Sequence, residues 1–235
     1  FDWDGGGGGK TTLVRLVYND SRVCQYFNLM AWVNVSLDFD VVRLCKAIIQ
    51  SVSKEPCELT ELSAVQQALK EELKGKKLLL VLDDVWNEKL NLWDNFRVAL
   101  TGGGWCKIIV TTRNESVARI MQTVLPYHLD CLPEDQSWLL FEQSAFDGLE
   151  PKEHPNLVEI GKKIVRKCNG LPLALKTLGG LLRFETAEER WEDILQSDLW
   201  ELDEQEDDIL PALKLSYHWM PTHLKPCFRY CCLFP

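Results

Sequence analysis

Basic residues are in deficit: 26 Lys and Arg stand against 35 Asp and Glu, a formal charge of −9. The deficit is local, because residues 185–208 hold twelve carboxylates and one base, Arg190, while the remaining chain sums to +2. No basic stripe is left to track a phosphate backbone, which argues against a nucleic-acid binder. Apolar runs never reach the roughly 18 residues a membrane span needs, and Phe1 to Asp4 do not read as a signal peptide. Glycine (14) and proline (10) are too scarce among 235 residues for a collagen-like or disordered chain. A disulfide framework is also missing. The nine cysteines are odd in number, and most lie inside apolar runs as small hydrophobes do. A reducing compartment follows, with the cytoplasm as the expected location.

Apolar residues supply 46% of the chain, enough for one large or two small domains. The first half alternates β-rich runs with helical patterns. Leu29-Met-Ala-Trp-Val-Asn-Val35, Leu78-Leu-Leu-Val-Leu82 and Lys107-Ile-Ile-Val-Thr-Thr112 read as strands. Between them, Val41, Leu44, Cys45, Ile48 and Val52 fall at helical spacing, as do Leu62, Val65, Leu69 and Leu73. Trp93, Phe96, Val98 and Leu100 precede the third run. Continuous apolar strands separated by helices predict a parallel α/β sheet covered on both faces. From about Glu134 the patterns are helical. Leu157, Ile160, Gly161, Ile164, Val165 and Cys168 form a stripe that stops at Asn169-Gly170. Residues 171–182 are apolar nearly all round, predicting a buried helix with proline at its start. The acidic stretch carries Trp191, Ile194, Leu195, Leu199 and Trp200, as an amphipathic helix plus linker would. A last helical pattern begins at Ile209.

The chemistry centres on Gly5-Gly6-Gly7-Gly8-Gly9-Lys10-Thr11-Thr12. Glycine lets backbone N–H groups turn inward on a phosphate with no side chain in the way. Lys10 would then reach the β- and γ-phosphates and Thr11 would coordinate Mg²⁺, with the following helix offering its positive N-terminus. The apolar strand at 78–82 delivers Asp83 and Asp84 at its carboxyl end, where ligands sit in open α/β sheets. Asp83 would hold Mg²⁺ through its water shell. Asp84 would orient or activate an attacking water, as the catalytic group of a slow ATPase at most. Arg113, closing the third run, could reach the γ-phosphate and distinguish ATP from ADP.

Two further patterns invite a ligand. His218, His223, Cys227, Cys231 and Cys232 have spacings a zinc site could use, but Tyr217, Trp219, Phe228, Tyr230 and Phe234 interleave with them as in a packed aromatic core. The nine tryptophans mostly fall at amphipathic spacing and likewise read as core.

With these residues on view, the chain resembles the NB-ARC nucleotide-binding switch of plant disease-resistance proteins, relatives of the apoptotic protease-activating factor. The likeness runs through the phosphate loop at 5–12, Ala31-Trp-Val-Asn-Val-Ser36, the run at 78–86, Lys107-Ile-Ile-Val-Thr-Thr-Arg113, Gly170-Leu-Pro-Leu-Ala174 and Cys227-Phe-Arg-Tyr-Cys-Cys-Leu-Phe-Pro235. These six motifs come in the family's order and cover essentially the whole chain. Trp86 directly after Leu-Asp-Asp-Val resembles the coiled-coil, non-TIR subclass.

The resemblance implies a P-loop nucleotide-binding subdomain over 1–130, a helical ARC subdomain over 131–208 and the start of a winged-helix subdomain over 209–235. Pro172 would approach the adenine. ADP would lock the subdomains together, and exchange for ATP would open them and permit oligomerisation. In the full-length protein, coiled-coil and leucine-rich-repeat domains and a pathogen effector or guarded host protein would be partners. Departures from the family accompany the likeness: Asp4 stands where its first loop glycine belongs, and the strand expected to enter the loop has no counterpart in Phe1-Asp-Trp-Asp4. The Met-His-Asp motif of the winged helix is likewise absent, as expected of a partial protein. Alternatives are a P-loop phosphotransferase acting on a small metabolite, and a scaffold that no longer binds nucleotide because Asp4 sets a carboxylate beside the phosphates.

Overall fold

A strand buried on both faces must be apolar throughout, and residues 78–82 become the centre of the sheet. The structure is a computed structural model that describes residues 9–35, 39–101, 104–201 and 211–233. The readings for Asp4, Gly5, Gly6, Gly7, Gly8 and Ser36, for residues 202–210 with the linker and Ile209, and for Phe234 and Pro235 fall outside the described residues. The described residues form two units, Gly9–Leu129 and the residues from Asp130 onward.

The first unit opens with α1 (Lys10–Tyr18) and α2 (Ser21–Tyr26), followed by β1 (Leu29–Asn34), α3 (Val41–Ser53), α4 (Leu62–Leu73) and β2 (Lys77–Asp83). Then come α5 (Leu90–Leu100), β3 (Trp105–Val110) and α6 (Glu115–Met121). The three strands are parallel in the order β1-β2-β3, with Ala31 opposite Leu80 and Leu80 opposite Ile108. Parallel partners point to the same face. Ala31, Val33, Leu78, Leu80 and Leu82 meet the buried stripes of α3, α4 and α5 on one side. Trp32 lies opposite Val81 on the other face, where its ring meets Tyr18 of α1 edge-on at 5.4 Å. Asp40 caps α3 by accepting from the N–H groups of Val42 and Arg43 at 2.8 and 3.1 Å.

In α5 the buried positions are Trp93, Phe96, Ala99 and Leu100, while Val98 points outward at 51% exposure. Two expectations need correction here. Leu62, in the first turn of α4, is also exposed. The third strand sits two residues earlier than expected, and it is not covered on both faces: Trp105 and Ile108 are 44% and 39% exposed. Among the described residues no strand pairs with its outer edge. An apolar groove of about 300 Å³ runs beside it, lined by Ile108, Val110, Met121, Val124, Leu125 and Tyr127 among others.

The second unit is helical: α7 (Glu134–Ala145), α8 (Pro155–Lys167), α9 (Pro172–Leu182), α10 (Glu188–Leu195), α11 (Pro211–His218) and α12 (Lys225–Tyr230). The stripe anticipated for α8 is buried in full, from Leu157 to Cys168. Gly161 belongs in that stripe because a Cβ there would stand 3.1–3.2 Å from the rings of Trp138, Trp191 and Phe141. The helix ends where Asn169 and Gly170 take positive φ, 49° and 72°. A Cβ on Gly170 would also strike the Leu132 carbonyl oxygen at 2.4 Å. Trp191 of α10 is fully buried and donates its indole N–H to the Glu185 carbonyl at 2.9 Å.

Helix α9 is not buried all round. Ala174, Leu175, Leu178, Gly179 and Leu182 face the core, while Leu173, Lys176 and Gly180 face solvent. The packed aromatic core expected around residues 217–234 is also not what forms, since Phe228 and Tyr230 are 53% and 59% exposed. Cys227, Cys231 and Cys232 are exposed as well. Among the described residues no cluster of His, Cys, Asp or Glu is placed to hold a metal. Of the described tryptophans, Trp93 and Trp191 are core, whereas Trp86 and Trp105 are exposed. Amphipathic spacing fixes a helix face but does not say how deeply that face is covered.

Candidate functional site

The carboxyl end of β2 and the N-terminus of α1 meet on one face of the sheet. Gly9 precedes α1 with φ 84°, a left-handed conformation that glycine adopts without strain. No neighbour lies within 4 Å of a Cβ built there, so the backbone angle alone demands glycine. The first turn carries no acidic residue and no side-chain cap, which leaves the positive end of the helix uncompensated by its own residues. Lys10, buried at 9% exposure, and Thr11 stand in that turn, while Thr12 is exposed.

Thr11 donates its hydroxyl to Asp83 Oδ1 at 2.9 Å. Thr111 donates to the same oxygen at 2.5 Å and accepts from the Asp84 N–H at 2.8 Å. Asp83 is 5% exposed and Thr111 is 2% exposed, so this carboxylate is held by two hydroxyls rather than by bulk water. Asp84 has φ 58°, a turn that ends the strand and brings its carboxylate out to the surface. Its Oδ1 lies 3.9 Å from Arg113 Nε, with both side chains nearly half exposed. The ends of β2 and β3 are stitched beyond the ladder: the Val85 N–H donates to the Thr111 carbonyl at 2.9 Å, and the Thr112 hydroxyl donates to the Val85 carbonyl at 2.7 Å.

Thr11, Asp83, Asp84 and Arg113 are therefore gathered around Thr111. Gly9 and Lys10 begin the helix that brings Thr11 there. Pro172 belongs to the second unit, half-buried at the first position of α9. Thr111 was not singled out from the sequence. The parallel register carries the signal: Leu82 pairs with Val110, so the next residue of each strand, Asp83 and Thr111, must be neighbours.

A glycine-led helix start bearing Lys-Thr, set against an acid at the end of a parallel strand, defines a P-loop NTPase α/β domain. The NB-ARC domain model matches residues 4–150, and the chain belongs to the NB-ARC family. Two proteins of Solanum bulbocastanum are similar over 98% of the chain: disease resistance protein RGA2 at 49% identity and RGA4 at 50%. Disease resistance protein RPM1 of Arabidopsis thaliana is 33% identical over 98% of the chain. The aligned part is 24%, 23% and 26% of those three proteins respectively, so the chain spans about a quarter of the length of the curated relatives it matches.

Proposed function

We propose that this chain is the ADP- and ATP-binding switch module of a plant innate-immune receptor, resting with ADP, active with ATP and hydrolysing slowly at most. The observation that carries the reading is the double hydroxyl grip of Thr11 and Thr111 on the buried Asp83 carboxylate.

The residues present fit a magnesium nucleotide. A hydroxyl and a carboxylate are hard oxygen donors, and Mg²⁺ characteristically takes one or two protein oxygens and completes its shell with water and phosphate. When bound, the ion would neutralise phosphate charge. Thr11 and Asp83 would hold it, Lys10 would pair with the phosphates, and the α1 N-terminus would add its dipole. Asp84 would orient an attacking water from its strained position at the strand end. Arg113 would tell ATP from ADP by a charge-assisted contact to the γ-phosphate, giving the two ligands the different contact energies that any switch requires.

The finer organisation belongs to the same proposal. Residues 131–208 act as the helical ARC subdomain, with Pro172 toward the adenine, and residues 209–235 begin a winged helix. In the intact, cytoplasmic receptor, coiled-coil and leucine-rich-repeat segments are the intramolecular partners, an effector or guarded host protein is the external one, and ATP permits oligomerisation. Calorimetric titration of Mg·ADP and Mg·ATP into the intact protein tests the reading. Lys10→Ala is expected to weaken ATP binding at least tenfold; unchanged affinity would remove the phosphate-loop assignment.

A further inference from the structure

Trp86 has no part in the phosphate chemistry just described, yet it stands beside the one residue that reads the γ-phosphate in that scheme. Arg113 Cζ lies 5.5 Å from the centroid of the Trp86 ring, within the range at which a guanidinium is held by an indole face. The juxtaposition is built by the backbone. Val85 and Thr112 are buried and bonded to each other, and the residues that follow each of them, Trp86 and Arg113, emerge side by side at the surface. The loop after Trp86 is pinned as well: the Trp93 indole N–H donates to the Asn87 carbonyl at 3.2 Å, and the Asn114 amide donates to Glu88 Oε1 at 2.6 Å.

Among the described residues, the carboxylate of Asp84 is the other group facing the guanidinium. At 3.9 Å it is beyond hydrogen-bond distance, and both side chains are more than two-fifths exposed, so water screens the pair and leaves its geometry loose. An arginine on a long flexible stem keeps many rotamers under such a restraint. A rigid aromatic face removes many of them at once, because it excludes one whole side of the guanidinium's range.

We propose that Trp86 is the positioning residue for Arg113: its indole is a platform that restrains the guanidinium and thereby sets how strongly the site prefers ATP to ADP. The proposal rests on Arg113 acting as the γ-phosphate sensor. Removing the platform lowers the ATP/ADP affinity ratio, whereas a merely structural tryptophan would weaken both nucleotides together. At 37% exposure, Trp86 can be truncated without opening the core.

The test uses the intact protein and its Trp86→Ala, Trp86→Phe and Arg113→Ala variants. Two quantities are read: the ratio of affinities for Mg·ATPγS and Mg·ADP, and, without nucleotide, the ring-current shift of the Arg113 Nε–H proton. Trp86→Ala is expected to lower the ratio about two- to five-fold and to abolish the shift, with Trp86→Phe restoring most of both. A ratio that falls in Arg113→Ala but stays at the wild-type value in Trp86→Ala would overturn the platform while leaving the sensor intact. A ratio unmoved by Arg113→Ala would overturn the sensor reading and the platform with it. An Arg113 proton indifferent to Trp86→Ala would overturn the stacking itself.

Discussion

Thr111 serves three groups with one hydroxyl and one carbonyl: it donates to Asp83, accepts from the Asp84 N–H, and its carbonyl accepts from Val85. Thr111→Val keeps the shape and deletes the hydroxyl, leaving the part-buried Asp84 N–H without its acceptor and taking one of two hydroxyl donors from the buried Asp83 carboxylate. A loss of about 1–3 kcal/mol is expected from urea unfolding, with weaker Mg²⁺-dependent nucleotide binding in the same variant. The cysteines offer a second measurement at this scale. Burial pushes the Cys45 and Cys168 thiols up to about 12, and Cys106 up to about 11, from an ordinary 9.0. At pH 8 iodoacetamide should modify the exposed Cys24, Cys131 and Cys227, while Cys45 and Cys168 react only after denaturant is added, as mass spectrometry would show. These thiols ionise first in the unfolded chain, which therefore binds fewer protons between about pH 9 and 12. Stability should fall as pH rises through that window.

At the scale of elements, α9 sets two neighbouring glycines in opposite situations. A Cβ on Gly179 would stand 2.7 Å from Ser144 Cβ and 3.1 Å from the Phe141 carbonyl oxygen, while Gly180 has nothing within 4 Å. Gly179→Ala should cost about 1–3 kcal/mol by forcing α7 and α9 apart. Gly180→Ala should add about 0.5–1 kcal/mol by restricting the unfolded chain. Urea midpoints of the two single variants check both signs. Helix α9 also shows where the sequence could be read and where it could not. Its proline start and its apolar content were legible from residues 171–182, but not its exposed side, because leucine marks a helix without saying which leucines have a partner. The stripe of α8 was fully legible since its polar residues break the ambiguity. At the site, Gly9, Lys10 and the two acids announced themselves by type and spacing. Thr111 did not: its role depends on a strand register that only the paired sheet supplies. The outward-facing β3 escaped notice for a related reason, an apolar run being equally compatible with a covered strand and a bare one.

At the scale of the molecule, the described residues pack into two cores, one built on Leu80 and Phe96 and the other on Phe141 and Trp191. Each should unfold with its own heat-absorption peak. Saturating Mg·ADP should raise the transition of the first core, by about 2.7 kcal/mol of added stability at one hundred times the dissociation constant. Scanning calorimetry with and without nucleotide checks that shift. The exposed side chains of β3 and the segment after α6 have a practical meaning for anyone purifying this chain. Trp105, Ile108, Val124 and Leu125 are large apolar side chains open to solvent, a surface on which separate molecules associate. Light scattering should therefore climb steeply with protein concentration, and Ile108→Lys, which plants a charge on that surface, should keep the solution clear.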